Sequence, residues 1–247
     1  MKSAGGFMKY FVDLHIHSAL SPCAADDMTP NNIVNMSMLK GLDFIAVTDH
    51  NSAKNCRAVS LCAAGKDILA VPGMEVETRE EVHVLCLFPG LKQAAEMQQA
   101  VDEALPFREN REEYFGRQLL FDEQDRVVGK ENKLLLSATE LSLTEVVSLT
   151  RALGGVAIPA HINRSANSII SQLGFVPKNP EFKYLEITSR QKLKEYEKLP
   201  DLQGYSFIVS SDAHSLGQIL ERTEYLYLEE YSIPCLLATL CGSQSSF

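Results

Sequence analysis

Six histidines, at positions 15, 17, 50, 83, 161 and 214, lie at the ends of apolar runs. "DLHIH", "VTDH", "IPAH" and "SSDAH" each end in histidine, and His83 opens "VHVLCLF". A single imidazole on an apolar face is usually a satisfied core residue; six at matching places are not explained that way. His15 and His17 stand two apart, so an extended strand turns both rings to one side. Asp212 and His214 share that spacing, Glu75 ends "VPGME", and Asp26 and Asp27 follow the first run. Imidazole with carboxylate suits Zn²⁺, Mn²⁺ or Fe²⁺ better than Ca²⁺, which prefers oxygen shells. So many candidate ligands exceed one tetrahedral ion and imply two or three, with a carboxylate such as Glu75 bridging. Centres of that kind cleave phosphate esters, because the ions activate a water and neutralise charge on the attacking and leaving oxygens.

Something must bring these residues together. Apolar, β-rich runs ("KYFVDLHIH", "FIAVTDH", "LAVPGME", "VHVLCLF", "GVAIPAH", "KYLEIT", "FIVSSDAH", "EYLYLE") alternate with helical stretches. Thr29 caps a helix with Pro30 at its first position and Gly41 past its end. Asn51 or Ser52 caps the next, and "SLTE", 142–145, has capping-box spacing. Strand–helix alternation predicts an α/β fold with a largely parallel sheet, open or closed into a barrel. Strand C-termini of a parallel barrel converge on one face, where the histidines would meet. His83 precedes its run, so either that strand is antiparallel or the ligand comes from a loop. Residues 91–141 break the rhythm: two helices interrupted near Pro106, then a turn or short hairpin. They form an insertion lying over the site as a lid, or else an outer helical layer.

The chain has 247 residues and net charge −9. That length is near the roughly 250 residues of an α/β barrel, so one domain over 8–242 is the expectation. Residues 1–7 read as a flexible leader, with Met8 an alternative start, and 243–247 as a fraying tail. No apolar run reaches the roughly 20 residues of a membrane span, and no signal peptide is visible. The six cysteines form no C-x-x-C pair and read as buried free thiols, which points to the cytoplasm. Net charge −9 without a basic stripe argues against long nucleic acid and for a small phosphorylated substrate or nucleotide.

"DLHIHSALSP", "VTDHNS", "PGMEV", "PAH" and "SDAH" resemble, in this order, the motifs of the PHP (polymerase and histidinol phosphatase) superfamily. The resemblance runs from about Phe11 to His214. It implies a distorted (β/α)7 TIM-like barrel, a trinuclear metal centre at the strand ends and phosphoesterase activity. The ligands it carries over are His15, His17, His50, Glu75, His83, His161, Asp212 and His214. Family members usually place an acid or a histidine shortly after H-x-H. Here "SPCAADD" offers Cys23, Asp26 and Asp27; Asp26 is the choice, because a soft Cys23 thiolate suits hard carboxylate neighbours poorly.

Asp13, on the face of His15 and His17, and Asp49, beside His50, are candidates to orient ligand imidazoles or to assist proton transfer; either could equally make a backbone hydrogen bond. Arg164 and, more weakly, Arg190 are candidates to hold a substrate phosphate. Glu186 in "YLEIT" points inward without an assigned role. The expected reaction is hydrolysis by metal-activated water, with no covalent intermediate. Alternatives are an exonuclease or polymerase-associated member of the superfamily, an amidohydrolase, for which no bridging lysine is found, and a degenerate structural site, which should have lost ligands. Oligomeric state is not legible.

Overall fold

The computed structural model describes residues 6–242. The expected tail and the first five residues of the expected leader lie outside them. In chain order the elements are β1 (Met8–Ile16), α1 (Pro30–Leu39), β2 (Phe44–Val47), α2 (Cys56–Ala63), β3 (Leu69–Glu77) and β4 (His83–Leu87). Then come α3 (Leu91–Ala104), α4 (Glu112–Phe115), β5 (Leu119–Phe121), β6 (Val127–Lys130), α5 (Leu143–Ala152) and β7 (Val156–Pro159). Last are α6 (Ile169–Leu173), β8 (Tyr184–Ile187), α7 (Arg190–Tyr196), β9 (Ser206–Val209), β10 (Tyr225–Leu228) and α8 (Ile233–Cys241).

Six strands form one sheet in the order β10-β1-β2-β3-β4-β7. β1, β2 and β3 run parallel, whereas β4 is antiparallel to both β3 and β7. β8 and β9 pair in parallel beside it. Two backbone links tie that pair to the sheet at one end: Ile162 N donates to Glu186 O at 2.9 Å, and His17 N to Ala213 O at 2.9 Å. The sheet therefore curls into a half-barrel that is drawn together where the histidines lie. A seven-fold strand–helix repeat is not what the chain builds: β3 turns into β4 through residues 78–82 with no helix between.

Local sequence explains the helices that position the loops. Thr29 accepts a hydrogen bond from Asn32 N with Pro30 at the first turn, and Ser142 and Glu145 form a reciprocal capping box. α2 starts later than the sequence suggested, at Cys56, because Asn51 is taken up by carbonyls of Leu135 and Ser137.

Interior apolar residues come from β1, β2, β3, β4, β7, β9, β10 and α8, among them Leu14, Phe44, Leu85, Ile158 and Leu236. α3 packs Ala94, Met97 and Val101 against Met74 and Val84, as an outer helical layer does. The rest of the expected insertion is mainly not helical. After the one-turn α4 comes the β5–β6 hairpin, which braces the loop following β1: Leu119 N donates to Ala19 O at 2.8 Å, and Leu20 packs with Leu105 and Leu135.

Candidate metal centre

The end of β1 supplies His15 and His17, and the ends of β2, β3, β7 and β9 lead to His50, Glu75, His161, and Asp212 with His214. Because β4 is antiparallel, its first residue, His83, falls at the same end, which resolves the one histidine that preceded its run. His83 pairs directly across from Glu77, and a backbone bridge sets His50 beside Glu75. Donor atoms gather in three groups, each within 4.8 Å: His15, His17 and Asp212; His50, Glu75 and His83; and His17, His50 and His214. His161 and Asp212 sit at positive φ, 29° and 52°. Non-glycine residues hold such conformations at a cost of about 1–3 kcal/mol, a strain that clusters at working sites.

Distances among the donors match the edges of coordination polyhedra. His15 Nε2 lies 3.1 Å from His17 Nε2 and 3.4 Å from Asp212 Oδ1, while His17 Nε2 lies 3.1 Å from Asp212 Oδ1. Ligands about 2.1 Å from a shared ion stand about 3.0–3.4 Å apart. Glu75 is central: Oε1 lies 2.9 Å from His83 Nδ1 and 3.0 Å from His161 Nε2, and Oε2 lies 2.8 Å from His50 Nδ1. Yet Glu75 Oε2 is fully buried without a properly oriented hydrogen bond. A buried carboxylate oxygen with no donor is what a cation satisfies.

Electrostatics point the same way. Burial would raise the Glu75 carboxyl, but His83, His15 and His50 hold it well below its usual range. Burial would lower His15, yet Glu186, Asp212 and Glu75 raise it well above the ordinary imidazole value. His17 is depressed by burial and by His50. Protons alone must balance this cluster unless divalent cations replace them. The residues fit divalent metal ions.

Imidazole orientation comes from partners that the sequence only partly revealed. Glu186 Oε2 lies 2.9 Å from His15 Nδ1 and accepts His161 N at 2.9 Å, so the unassigned inward glutamate steers two ligands. Ser21 donates to Asp49 at 2.7 Å, which leaves its oxygen to accept from His17 Nδ1 at 2.9 Å and from His50 N at 3.1 Å. Asp49 thus reaches His17 through Ser21 rather than touching His50. His214 Nδ1 donates to Asp212 O at 2.8 Å, leaving its Nε2 lone pair free.

Of the two roles open to Asp13, the hydrogen bonds it makes are to backbone; the β1–β2 register also shifts between Asp13 and Ile16. Asp13 accepts the backbone N–H groups of Ser211 and Leu220, each at 3.0 Å, and clamps the loop that carries Asp212 and His214.

Asp26 lies away from the donors, in an exposed ion pair with Arg117, and Asp27 is exposed. Of the three candidates in this loop, Cys23 is the one beside the cluster, near His50 and His214. Burial pushes its thiol up, but those two imidazoles bring it down to about 6. Cys23 and Cys241 are exposed, contrary to the expectation of buried thiols.

Arg164 pairs with Asp212 and is half exposed. It lines a pocket of about 590 Å³ with His83, His161, Asn163 and Lys192. Arg190 does not point there; it makes a bidentate pair with Glu224 at 2.6 and 2.8 Å. Lys192, two residues on, was the cation that sequence reasoning missed; about half a turn of helix decides which side chain faces the pocket. No helix among the described residues is long and apolar enough to cross a membrane.

No family model matches the chain. An uncharacterized protein of Methanocaldococcus jannaschii is 26% identical over 164 residues, 66% of this chain but 18% of that protein. Among solved structures, the lesion-specific endonuclease Q of Pyrococcus furiosus superposes with TM-score 0.66 at 18% identity, over 95% of this chain and 56% of that one. Endonuclease Q in complex with a 27-mer duplex bearing an abasic lesion gives 0.64 at 17% identity, over 95% and 57%. A protein described as an amidohydrolase, from Chromobacterium violaceum, gives 0.58 at 18% identity, covering 91% and 94%. A candidate metal-dependent phosphoesterase from Bifidobacterium adolescentis gives 0.53 at 16%, covering 98% and 97%. The chain thus spans about a fifth of its curated relative and little more than half of endonuclease Q.

These likenesses overturn the argument from net charge against long nucleic acid, since the same architecture is seen on a DNA duplex. Net charge averages over the whole surface, whereas binding is decided locally, where metal ions and cations such as Arg164 and Lys192 set the field. The chain shares the fold of these structures, and its clustered imidazoles and carboxylates form groups that could hold divalent metal ions.

Proposed function

We propose that this chain is a PHP-superfamily phosphoesterase that hydrolyses phosphodiesters of nucleic acid. The observation that carries the reading is the convergence of six imidazoles with Glu75 and Asp212 on one end of the curled sheet. The likeness to endonuclease Q supports nucleic acid as the substrate class.

In this reading His15, His17 and Asp212 hold one ion, and His50, His83 and His161 hold a second, with Glu75 between them. His214, beside His17 and His50, marks a third position. When bound, the ions lower the pKa of a water and draw charge from the phosphoryl oxygens. The chain does the rest. Glu186 and Ser21 fix ring orientation, so that each imidazole presents a lone pair rather than a proton. Arg164, beside Asp212 and half exposed, would bind a non-bridging phosphate oxygen with its guanidinium. Lys192 and Asn163 hold the strand beyond the scissile phosphate in the same pocket.

The test is hydrolysis by metal-free protein reconstituted with Zn²⁺, Mn²⁺ or Fe²⁺. Substrates are a chromogenic phosphodiester, a chromogenic monoester, single-stranded DNA, and duplex DNA with and without an abasic site. Metal-dependent cleavage of a diester, lost in His15→Ala/His17→Ala, is expected. Absence of hydrolysis with every metal, or full activity in the double variant, would overturn the proposal.

A further inference from the structure

We infer that Glu77 is a positioning residue for His83: its carboxylate holds the ring by Nε2 and so keeps the Nδ1 lone pair turned toward Glu75, where a metal ion would bind. The inference rests on the metal-centre reading and goes beyond it, since that reading gives Glu77 no part. Strand geometry sets up the arrangement. Glu75 and Glu77 stand two apart on β3 and project to the same face. His83, on β4, pairs directly across from Glu77. Its ring therefore lies between two carboxylates of one strand. Nδ1 is 2.9 Å from Glu75 Oε1, and Nε2 is 3.7 Å from Glu77 Oε2.

Other rings of the cluster have a partner on the nitrogen that faces away from the shared donors. His15 has Glu186, His17 has Ser21, and His214 has the Asp212 carbonyl. His83 Nε2 is buried and has no hydrogen-bond partner. A buried ring N–H left without an acceptor costs about 1–3 kcal/mol. The Glu77 carboxylate is the acid within ion-pair reach of that nitrogen. The separation exceeds a hydrogen bond, and a small rotation of the Glu77 side chain closes it. A metal ion on Nδ1 puts the ring proton on Nε2, which is the proton Glu77 would accept.

Glu77 is itself held in place. Its N–H donates to Asn51 Oδ1 at 3.0 Å, and its carbonyl accepts from Thr139 N at 2.9 Å and Thr139 Oγ1 at 2.8 Å. Asn167 Nδ2 donates to Glu77 Oε1 at 3.2 Å, which leaves Oε2 for His83. Asn167 also accepts the His83 N–H on its carbonyl at 2.9 Å. It sits at φ 56°, in the loop that runs on from His161 and lines the pocket with Arg164. Glu77 and Asn167 thus grip His83 by ring and by backbone. The Glu77 side chain is 14% exposed, so water competes little for its charge, and that charge makes the imidazole a better donor to a cation.

The experiment compares wild type, Glu77→Ala, Glu77→Gln and Asn167→Gly, each stripped of metal, melted in the metal-free form, and titrated with Zn²⁺ by calorimetry. In parallel, zinc-loaded protein labelled with ¹⁵N-histidine is read by NMR, the His83 ring signal being the one lost in His83→Asn. Glu77→Ala should bind one zinc equivalent about 10–100-fold more weakly, with the other equivalents unchanged. Its His83 Nε2–H signal should vanish through exchange with water. Glu77→Gln keeps an acceptor oxygen without the charge and should recover part of the affinity and the signal. Asn167→Gly keeps the left-handed backbone and should weaken the same equivalent by less. Unchanged zinc affinity with an unchanged His83 signal in Glu77→Ala would overturn the inference. So would an equal loss at every zinc equivalent with a lowered metal-free melting temperature, which would make Glu77 a support of the fold. If Glu77→Ala does not fold, full zinc affinity in the isosteric Glu77→Gln overturns the inference and a loss confined to one equivalent supports it. Wild type that holds no zinc would overturn the metal-centre reading itself.

Discussion

Gly116 and Pro22 meet so closely that a β-carbon at Gly116 would lie 2.0 Å from the Pro22 carbonyl oxygen. Gly116 also has φ 99°, a conformation that side-chain-bearing residues rarely adopt. The contact presses the turn before β5 onto the loop that carries Ser21 and Cys23. Gly116→Ala should therefore destabilise the fold by at least about 1–3 kcal/mol of backbone strain. At about 2–4 °C per kcal/mol for a chain of this size, a thermal melt resolves that loss. An unchanged melting temperature would show that the loop yields freely and that the brace is not structural.

Removal of metal should weaken the whole fold, because the cluster joins β1, β2, β3, β4 and the ends of β7 and β9. An ion present at 100 times its dissociation constant stabilises by about 2.7 kcal/mol. Chelator should lower the melting temperature, and added Zn²⁺ or Mn²⁺ should restore it. Imidazoles bind metal only when neutral, and carboxylate neighbours hold His15 and His50 well above the ordinary imidazole value, so the gain should fade as pH falls from above that value. Melting curves with and without chelator at pH 7.5 and 5.5 check both parts; curves that coincide at pH 7.5 would contradict the reading.

Glu186 and Ser21 never need to touch a metal for their loss to be felt. Each holds the far nitrogen of a ligand imidazole, at 2.9 Å in both cases. Loss of such a partner costs about 10–100-fold in metal affinity. Glu186→Ala and Ser21→Ala should both bind metal more weakly by titration calorimetry.

The clustering of candidate donors was legible in sequence because strand termini of a curled sheet share an end, and histidine is rare enough here for its placement to be read. Even His83 follows that rule once β4 is seen to be antiparallel, which a five-residue turn after "GMEVE" dictates but does not announce. What periodicity missed came from departures from regular geometry. The carboxylate of Asp13 is taken up by the backbone N–H groups of Ser211 and Leu220, from a loop far away in sequence. Helical phase in α7 exchanged Arg190 for Lys192 at the pocket. The loop after β1 has no period at all, so Asp26 and Cys23 could be told apart only by the partners that each found in space.

Arg164 offers the sharpest separation of binding from metal chemistry. Its guanidinium pairs with Asp212, yet half of the side chain faces solvent in the pocket shared with Lys192. Charge-assisted hydrogen bonds contribute about 1.5–3 kcal/mol, so Arg164→Ala should lower kcat/KM about 10–150-fold with metal content unchanged. Arg164→Lys keeps the charge but loses the planar fork, and should recover only part of that loss. If the ligand is a polyanion, Lys192→Ala should raise KM more for duplex DNA than for a chromogenic diester and should flatten the dependence of binding on salt, because one phosphate contact fewer releases fewer counterions. Steady-state kinetics at two ionic strengths, with metal analysis of the same samples, separate these effects. Loss of metal from Arg164→Ala would make the arginine a support of Asp212 and not a phosphate-binding group.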